Sequence, residues 1–316
     1  MTRSDSVGRL LPSPTGKLHL GHARTFLLAY WHARSRGGAL VLRIEDLDAP
    51  RVVPGAADAM VRDLEWLGVE WDGPVVLQSS RLAASVEACD ALLARGLAYA
   101  CVCSRGDLRT AQSAPQAGVA EPAYPGTCRG RFASVAEAER VTGKPAGVRF
   151  RVPPGKVELI DSFVGPFCAD VAAEVGDFLI ARKGGLPAYQ LAVAVDDRTQ
   201  GVTEVVRGDD LLSSTARQYL LRHALDLPEP AYWHVPLVVD GAGRRLAKRA
   251  DDLSLAELRE RGADPREVVS WAARASGIFD AGRETAAELV SRFAMERVPR
   301  TPVSSQGAAE RILTPP

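Results

Sequence analysis

The chain is poor in lysine and histidine, and it has no long apolar run. Of its 316 residues five are histidines and five are lysines, and 39 Lys+Arg balance 39 Asp+Glu, so the formal charge is zero. This balance excludes a bulk electrostatic attraction to nucleic acid, so any such partner must be held by a local patch. No apolar run approaches the ~20 residues that span a bilayer, and the N-terminus has no signal-like apolar core, so we expect a cytoplasmic protein.

The remaining composition is that of an ordinary globular protein. It is 46% hydrophobic and 25% charged, which excludes disordered, collagen-like and disulfide-stapled chains. With a typical domain of roughly 150 residues, the length predicts two lobes, or one large domain with an insertion.

Apolar periodicity predicts a parallel α/β sheet. Strands are expected at 7–11 and 39–44, and amphipathic helices at 21–34 and 55–67. Strand and helix alternating at this spacing are typical of a parallel sheet.

The pattern changes in the middle of the chain and then resumes. Further strands are predicted at 191–195, 203–206 and 237–239, a helix at 213–225, and helical, Ala-rich sequence at 254–293. The expected organisation is a first half of a catalytic domain at 1–98, an inserted subdomain at 99–176, a second half at 177–250, a helical region at 251–295, and a flexible tail at 296–316.

Two histidines lie between the first strand and the first helix. His19-Leu20-Gly21-His22 follows Pro12-Ser13-Pro14-Thr15-Gly16 at the point where a parallel sheet presents a helix N-terminus to phosphate. Imidazole N–H groups there can stabilise charge on a transferring phosphoryl oxygen. Alone, the motif is a weak match, and histidines that cap the helix or face water explain it more readily.

A basic segment follows the Asp240-Gly241 turn. Arg244-Arg245-Leu246-Ala247-Lys248-Arg249 concentrates four cations in a chain of zero net charge. A flexible loop with a lysine can close over the outer phosphates of ATP. A basic loop by itself is more often a solvated surface.

Together these segments resemble the class I aminoacyl-tRNA synthetases, whose catalytic domain has an early His-x-Gly-His motif and a late Lys-Met-Ser-Lys-Ser loop. Lys248 matches that loop, and Arg245 matches it by charge; residues 9–16 and 43–48 narrow the resemblance to the glutamyl-type enzymes. The resemblance implies a Rossmann-type core that binds ATP with Mg²⁺ and a stem-contact role for 251–295. It assigns ATP binding to His19, Gly21, His22, Arg245 and Lys248, of which His19, His22 and Lys248 are catalytic.

A glutamate pocket needs an acidic group for the ammonium and arginines for the two carboxylates. The resemblance assigns Arg9 and Arg207 to the carboxylates, Glu45 to the ammonium, and Tyr189 and Ser13 to further contacts. Each alone is also explained as a surface ion pair or polar group at a strand end. Charged residues at neighbouring predicted strand ends are interpreted as structural: Asp46, Asp48, Asp196 and Asp197.

Three cysteines in the insertion predict a metal site. Cys101, Cys103 and Cys128 supply three thiolates, one ligand short of a structural zinc site, and no histidine lies between His32 and His223. Tyr124 is the candidate fourth ligand, with Asp107, Glu121 or water as alternatives. The arrangement is similar to the Cys-x-Cys, Tyr-x-x-x-Cys site of the glutamyl-queuosine tRNA(Asp) synthetase family, which implies one structural zinc bound by Cys101, Cys103, Tyr124 and Cys128.

The position of Lys248 also bears on function. The 316-residue chain leaves 67 residues after Arg249, fewer than the roughly 100 to 150 of a typical further domain, so we expect a catalytic core without an anticodon-binding domain. The same family resemblance, over 7 to about 275, implies a monomer that joins glutamate to queuosine in the anticodon of tRNA(Asp). The alternatives are a truncated synthetase that charges a tRNA 3′ end, a catalytically silent tRNA-binding paralogue, and a small nucleotidyltransferase.

Overall fold

The computed structural model describes residues 5–104, 106–107, 123–246 and 253–314. The predicted residues Lys248 and Glu121 lie outside these ranges. Within them, no helix has the length and apolar character needed to cross a membrane.

The N-terminal half forms the predicted parallel sheet. Strands β1 (Val7–Leu10), β2 (Ala39–Ile44) and β3 (Val76–Leu77) pair in that order, with helix α1 (Leu20–Ser35) and helix α2 (Ala56–Trp66) in the crossovers. The alternation of strand and helix predicted from the sequence is confirmed for this half.

The second half of the core joins the free side of β1. Strand β9 (Glu204–Gly208) pairs in parallel with β10 (Ala231–Val235), and the Thr203 N–H donates to the Val7 carbonyl at 2.9 Å. Helices α6 (Tyr189–Thr199) and α7 (Leu212–Ala224) flank these strands. The carboxyl ends of β1, β2 and β9 therefore meet at one edge.

The insertion is antiparallel. After α3 (Leu82–Ala94), strands β4 (Ala98–Cys101), β5 (Gly147–Phe150) and β8 (Leu179–Ala181) form one sheet, and β6 (Val157–Asp161) and β7 (Gly165–Ala169) form a hairpin. Its described residues also form two short helices, α4 (Val135–Thr142) and α5 (Val171–Glu174).

Helix α1 organises the core between the two halves. Its residues Leu27, Leu28 and Trp31 are fully buried, and the Trp31 indole N–H donates to the Ala286 carbonyl at 2.9 Å. Burial of a large aromatic side chain with a satisfied N–H fixes the C-terminal segment against the sheet.

The strand predicted at 191–195 is wrong, because these residues lie inside helix α6. All five are buried apolar residues, and a short continuous apolar run does not distinguish a buried strand from a buried helix. Tyr189 consequently opens a helix instead of preceding a strand, and Asp196 and Asp197 are buried helical residues rather than strand-end charges.

The C-terminal region also differs from expectation. Helical sequence predicted at 254–293 is divided into α8 (Leu255–Glu260), α9 (Pro265–Arg274) and a 3₁₀ turn, Val290–Arg292. The segment predicted as a flexible tail contributes strand β12 (Val303–Ser304), parallel to β11 (Val238–Val239), and helix α10 (Ala308–Leu313). The proline and serine content of this segment favours a flexible tail, but Ala308 and Ile312 are buried in the core.

Replacing Ile312 by alanine tests this packing. The variant should lose about 2–4 kcal/mol of unfolding free energy, because removing a buried side chain leaves a cavity. The measurement is urea denaturation. The control is Arg311→Ala, on the exposed side of the same helix, which should change the unfolding free energy by less than about 0.5 kcal/mol. Equal stability of the two variants would contradict a docked C-terminal helix.

Candidate functional site

A cleft of about 380 Å³ opens where the carboxyl ends of β1, β2 and β9 meet. Nine of the site residues predicted from the sequence line it: Arg9, Ser13, His19, Gly21, His22, Glu45, Tyr189, Arg207 and Arg245. Lys248, the remaining predicted residue of the ATP end, lies outside the described residues. The fold therefore brings together residues that are up to 236 positions apart, from Arg9 to Arg245.

The two histidines both cap α1 and line the cleft. His19 Nδ1 accepts from the Gly21 N–H at 3.1 Å, and His22 Nδ1 accepts from the His19 N–H at 3.2 Å, which forms a capping box. In a neutral imidazole whose Nδ1 accepts, the proton resides on Nε2 and can be donated from there. Capping thus orients both rings for donation, and the two explanations of the motif are compatible.

Gly21 is needed for the contact between the rings and the backbone. A Cβ at this position would lie 3.0 Å from Cε1 of His19, closer than ordinary packing permits. The ring centroids of His19 and His22 lie 3.8 Å apart, so the rings have little room to withdraw.

The other end of the cleft contains buried charges with incomplete hydrogen bonding. Arg9 donates from Nη1 to the Val206 carbonyl at 3.3 Å, but its Nε has no hydrogen-bond partner. Arg207 Nη1 and Glu45 Oε1 are likewise buried and unpartnered. Two of these groups also have an opposite charge nearby: Arg9 Nε lies 3.9 Å from Asp197, and Glu45 Oε1 lies 4.0 Å from Arg43 Nη2. The hydrogen-bonding capacity that two cations and one anion leave unused suits a ligand with two anionic groups and one cationic group.

Burial dominates the electrostatics of these groups. It raises the pKa of Glu45 to about 7, although the charges of Arg43 and Arg9 oppose the shift. Burial also lowers the pKa of Arg9, against the attraction of Asp197, and raises that of Tyr189. A ligand ammonium beside Glu45 would favour its ionised form.

A layer of ion pairs lies beneath the pocket, and the sequence does not predict what these residues hold in place. Asp197, interpreted as structural, accepts from Arg43 Nη2 at 2.8 Å and from Arg222 Nη2 at 3.3 Å, and it lies 3.9 Å from Arg9 Nε. Asp196 accepts from the Gln78 amide at 2.8 Å. The only available sequence signal was an Asp-Asp pair directly after an apolar run.

A second missed group holds Arg207. Its Nε donates to His234 Nε2 at 2.9 Å and its Nη2 donates to Thr215 Oγ1 at 2.9 Å, while His234 Nδ1 lies 2.6 Å from Asp161 Oδ2. His234 is fully buried and Asp161 is 4% exposed. A histidine inside an apolar strand was a sequence signal, but its partner is 73 residues away.

The predicted metal residues also come together. The Sγ atoms of Cys101, Cys103 and Cys128 lie within 4.8 Å of one another, an arrangement that could hold a metal ion. The Tyr124 hydroxyl oxygen is 3.5 Å from Cys101 Sγ and 3.8 Å from Cys103 Sγ. Of the alternative ligands, Asp107 accepts from the Ser104 N–H at 2.7 Å instead.

Two further residues fix Tyr124 in this cluster. The Arg149 guanidinium lies 3.8 Å from the centroid of the Tyr124 ring, and its Nε is 3.3 Å from Cys101 Sγ. A cation there favours anionic thiolate and phenolate ligands. Gly176 has a φ of +68°, and a Cβ would lie 2.3 Å from the Tyr124 carbonyl oxygen, so only glycine fits.

Comparisons with known proteins agree on one family. The model of the class I tRNA synthetases (E and Q), catalytic domain, matches residues 7–308. The chain is 42% identical to the glutamyl-Q tRNA(Asp) synthetase of Rhodopirellula baltica, covering 95% of this chain and 96% of the relative. It is 44% identical to that of Symbiobacterium thermophilum, covering 94% of each.

The fold is also that of a solved synthetase. The crystal structure of a glutamate tRNA ligase from Elizabethkingia meningosepticum, in complex with its amino acid, superposes with a TM-score of 0.83 at 26% identity. The alignment covers 98% of this chain and 69% of that chain.

The raised pKa of Glu45 predicts a pH dependence of stability. The folded state retains this proton up to about pH 7 and the unfolded chain releases it near pH 4.5, so stability should fall as pH rises between these values. Relative to Glu45→Gln, the unliganded wild type should lose about 2–3 kcal/mol across this window.

The measurement is urea denaturation at pH 4.5, 6 and 8. Glu65→Gln, an exposed carboxylate on α2, is the control and should follow the wild type. Parallel curves for wild type and Glu45→Gln would show that burial does not shift this carboxyl group.

Proposed function

This chain belongs to the class I tRNA synthetase family of glutamate and glutamine enzymes, and we propose that it activates L-glutamate with ATP and joins it to queuosine in the anticodon of tRNA(Asp). As a member of this family it is a ligase, and glutamate, ATP and tRNA are its expected partners. The specific acceptor is supported by relatives 42–48% identical over most of the chain that are named for tRNA(Asp).

The observation that carries the proposal is that three charged groups of the cleft each have a polar atom without a hydrogen-bond partner. Arg9 and Arg207 match the two carboxylates of glutamate, and Glu45 matches its ammonium. Tyr189 and Ser13 line the same end and complete the polar contacts. Glutamine or a monocarboxylic amino acid would leave one buried guanidinium unpaired, which supports selection of glutamate.

We assign the ATP end to His19, Gly21, His22, Arg245 and Lys248. A glutamate α-carboxylate oxygen attacks the α-phosphorus of ATP, and the bond to the bridging oxygen breaks to release pyrophosphate and leave glutamyl-adenylate. The Nε2 protons of His19 and His22 stabilise charge on the phosphoryl oxygens. Mg²⁺ bound to ATP would supply further charge neutralisation.

In the second step a hydroxyl of the queuosine cyclopentenediol attacks the activated carbonyl carbon, and AMP leaves. A chain of zero net charge must hold tRNA through local arginines and shape. We propose that the helical region 251–295 contacts the tRNA stem. In the sequence this region follows the two catalytic halves, 1–98 and 177–250, and precedes the C-terminal segment 296–316.

We also propose that the enzyme acts as a monomer in the cytoplasm. The relatives are named for a tRNA, which supports the cytoplasmic location. The insertion 99–176 would carry one structural zinc bound by Cys101, Cys103, Tyr124 and Cys128. Three thiolates and a phenolic oxygen beside Arg149 suit a closed four-ligand zinc site that stabilises the fold.

A second candidate is transfer to a tRNA 3′ end. The structural similarity to a glutamate tRNA ligase favours it, because the same core can present an adenylate to either acceptor.

Labelled glutamate identifies the acceptor directly. With ATP and unfractionated tRNA, the label should appear on tRNA(Asp), in the anticodon nucleotide. It should not appear on tRNA whose queuosine diol has been cleaved by periodate before the reaction while the 3′ end was protected. Labelling that survives diol cleavage would support the 3′-end reaction. Absence of glutamate-dependent pyrophosphate exchange would contradict both candidates and leave a silent paralogue.

Metal analysis tests the zinc site. The purified protein should contain about one zinc per chain, and Cys103→Ser should lower zinc content and the stability of the insertion, because one of four ligands is lost. Cys168→Ser, which changes an exposed cysteine outside the cluster, is the matched control and should keep its metal. Equal metal content in the two variants would contradict the site. Tyr124→Phe then separates a phenolate ligand, whose loss weakens zinc binding, from an Asp107 or water ligand.

A further inference from the structure

We infer that His234 and Asp161 are a positioning pair, which holds the Arg207 guanidinium in the orientation that presents Nη1 to a ligand carboxylate. The inference rests on the proposed function, since it takes Arg207 as a glutamate ligand. The pair lies behind Arg207: His234 on β10 contacts Arg207 Nε, and Asp161, at the end of β6, contacts the far side of the imidazole.

Proton accounting permits one tautomer of His234. A guanidinium Nε–H can only donate, so His234 Nε2, 2.9 Å away, must accept. The ring proton is therefore on Nδ1, where it donates to Asp161 Oδ2 at 2.6 Å. With Nε2 protonated, two N–H groups would face each other across 2.9 Å in a site that excludes water.

Thr215 extends the same arrangement. Arg207 Nη2 donates to Thr215 Oγ1 at 2.9 Å, and the hydroxyl proton is then available to His234 Nε2 at 3.2 Å. Two of the three guanidinium nitrogens are fixed by this network. The third, Nη1, has no hydrogen-bond partner, and Arg207 lines the cleft, so we assign Nη1 to the ligand carboxylate.

Asp161 is itself rigidly held. Its Oδ1 accepts from the backbone N–H groups of Phe163 at 2.9 Å and Val164 at 2.7 Å, and lies 3.3 Å from that of His234. Burial raises the pKa of Asp161, but the hydrogen bond from the His234 ring and these backbone bonds together lower it by more, so the carboxyl group remains an acceptor. Burial, together with the charge of Arg207, lowers the pKa of His234 and keeps the ring neutral.

Asp161→Asn tests the pair with a nearly isosteric change. Asn Oδ1 can keep the backbone bonds while its amide N–H faces Nδ1, which should move the ring proton to Nε2, against Arg207. We expect the KM for glutamate in pyrophosphate exchange to rise about 10- to 100-fold, with the KM for ATP within about twofold.

The tautomer is measured independently of activity. Two-bond ¹⁵N–¹H correlation spectra separate the neutral tautomers, and the chain has only five histidines to assign. Wild type should show an Nδ1-protonated His234, and Asp161→Asn an Nε2-protonated one. An Nε2-protonated ring in wild type, or an unchanged glutamate KM in a variant whose tautomer has inverted, would overturn the inference.

Two His234 variants distinguish an effect on the orientation of Arg207 from an effect on protein stability. They also provide the test if Asp161→Asn does not fold. Glutamine can place its amide oxygen near the former Nε2 position and accept from Arg207, whereas asparagine replaces only the Nδ1 side. His234→Gln should retain glutamate binding better than His234→Asn, by roughly tenfold, at matched urea stability. Equal binding by the two variants contradicts positioning.

Failure of the proposed function has a different signature. Calorimetry of wild type with glutamate, and of Arg207→Gln as reference, shows whether the cleft binds this ligand through Arg207. No binding by wild type would reject the function, whereas wild-type binding with Asp161→Asn unaffected would reject the positioning pair alone.

Discussion

The burial of charged groups with incomplete hydrogen bonding at one edge of a parallel sheet is the constraint on which the rest of this structure depends. Arg9, Arg207 and Glu45 each retain a buried polar atom without a partner, and such atoms persist only when surrounding groups hold them in place. The Asp197 carboxylate, beneath the pocket, partly neutralises the charge of Arg9, and the Val206 carbonyl of β9 accepts a hydrogen bond from Arg9. The hydrogen-bonding capacity that these three groups leave unused matches the two carboxylates and the ammonium of a dicarboxylic amino acid.

The same side chains serve folding and chemistry at the phosphate end. His19 and His22 satisfy N–H groups that a helix N-terminus leaves without partners, and this bonding fixes which ring nitrogen carries the proton. Helix α1 is in turn held by Trp31, whose indole bonds to the C-terminal segment. Orientation of the imidazoles is thus a consequence of how the core packs, and Gly21 leaves room for the His19 ring, whose Cε1 a Cβ would approach to 3.0 Å.

Much of the cleft could be predicted from sequence because its residues follow strands or precede a helix. Arg9, Glu45 and the two histidines lie at such positions, and parallel strands necessarily gather their carboxyl ends. Residues 191–195, inside the helix Tyr189–Thr199, are predicted as a strand because a continuously buried apolar run lacks the periodicity that distinguishes a strand from a helix. The C-terminal strand and helix were mistaken for a tail because their stability comes from docking on β11 and the core rather than from local sequence.

The sequence alone determined the family, the parallel core, the cysteine cluster and most of the residues that line the cleft, because motif and spacing encode which chemical groups are available and at which strand ends. Only the tertiary structure decided how these groups are oriented and held. Asp161 and His234 are 73 residues apart, and Asp197 meets Arg43 across 154. Contacts of such range depend on the packing of whole elements, which local pattern does not specify, and they fix the direction of each guanidinium and the site of each proton.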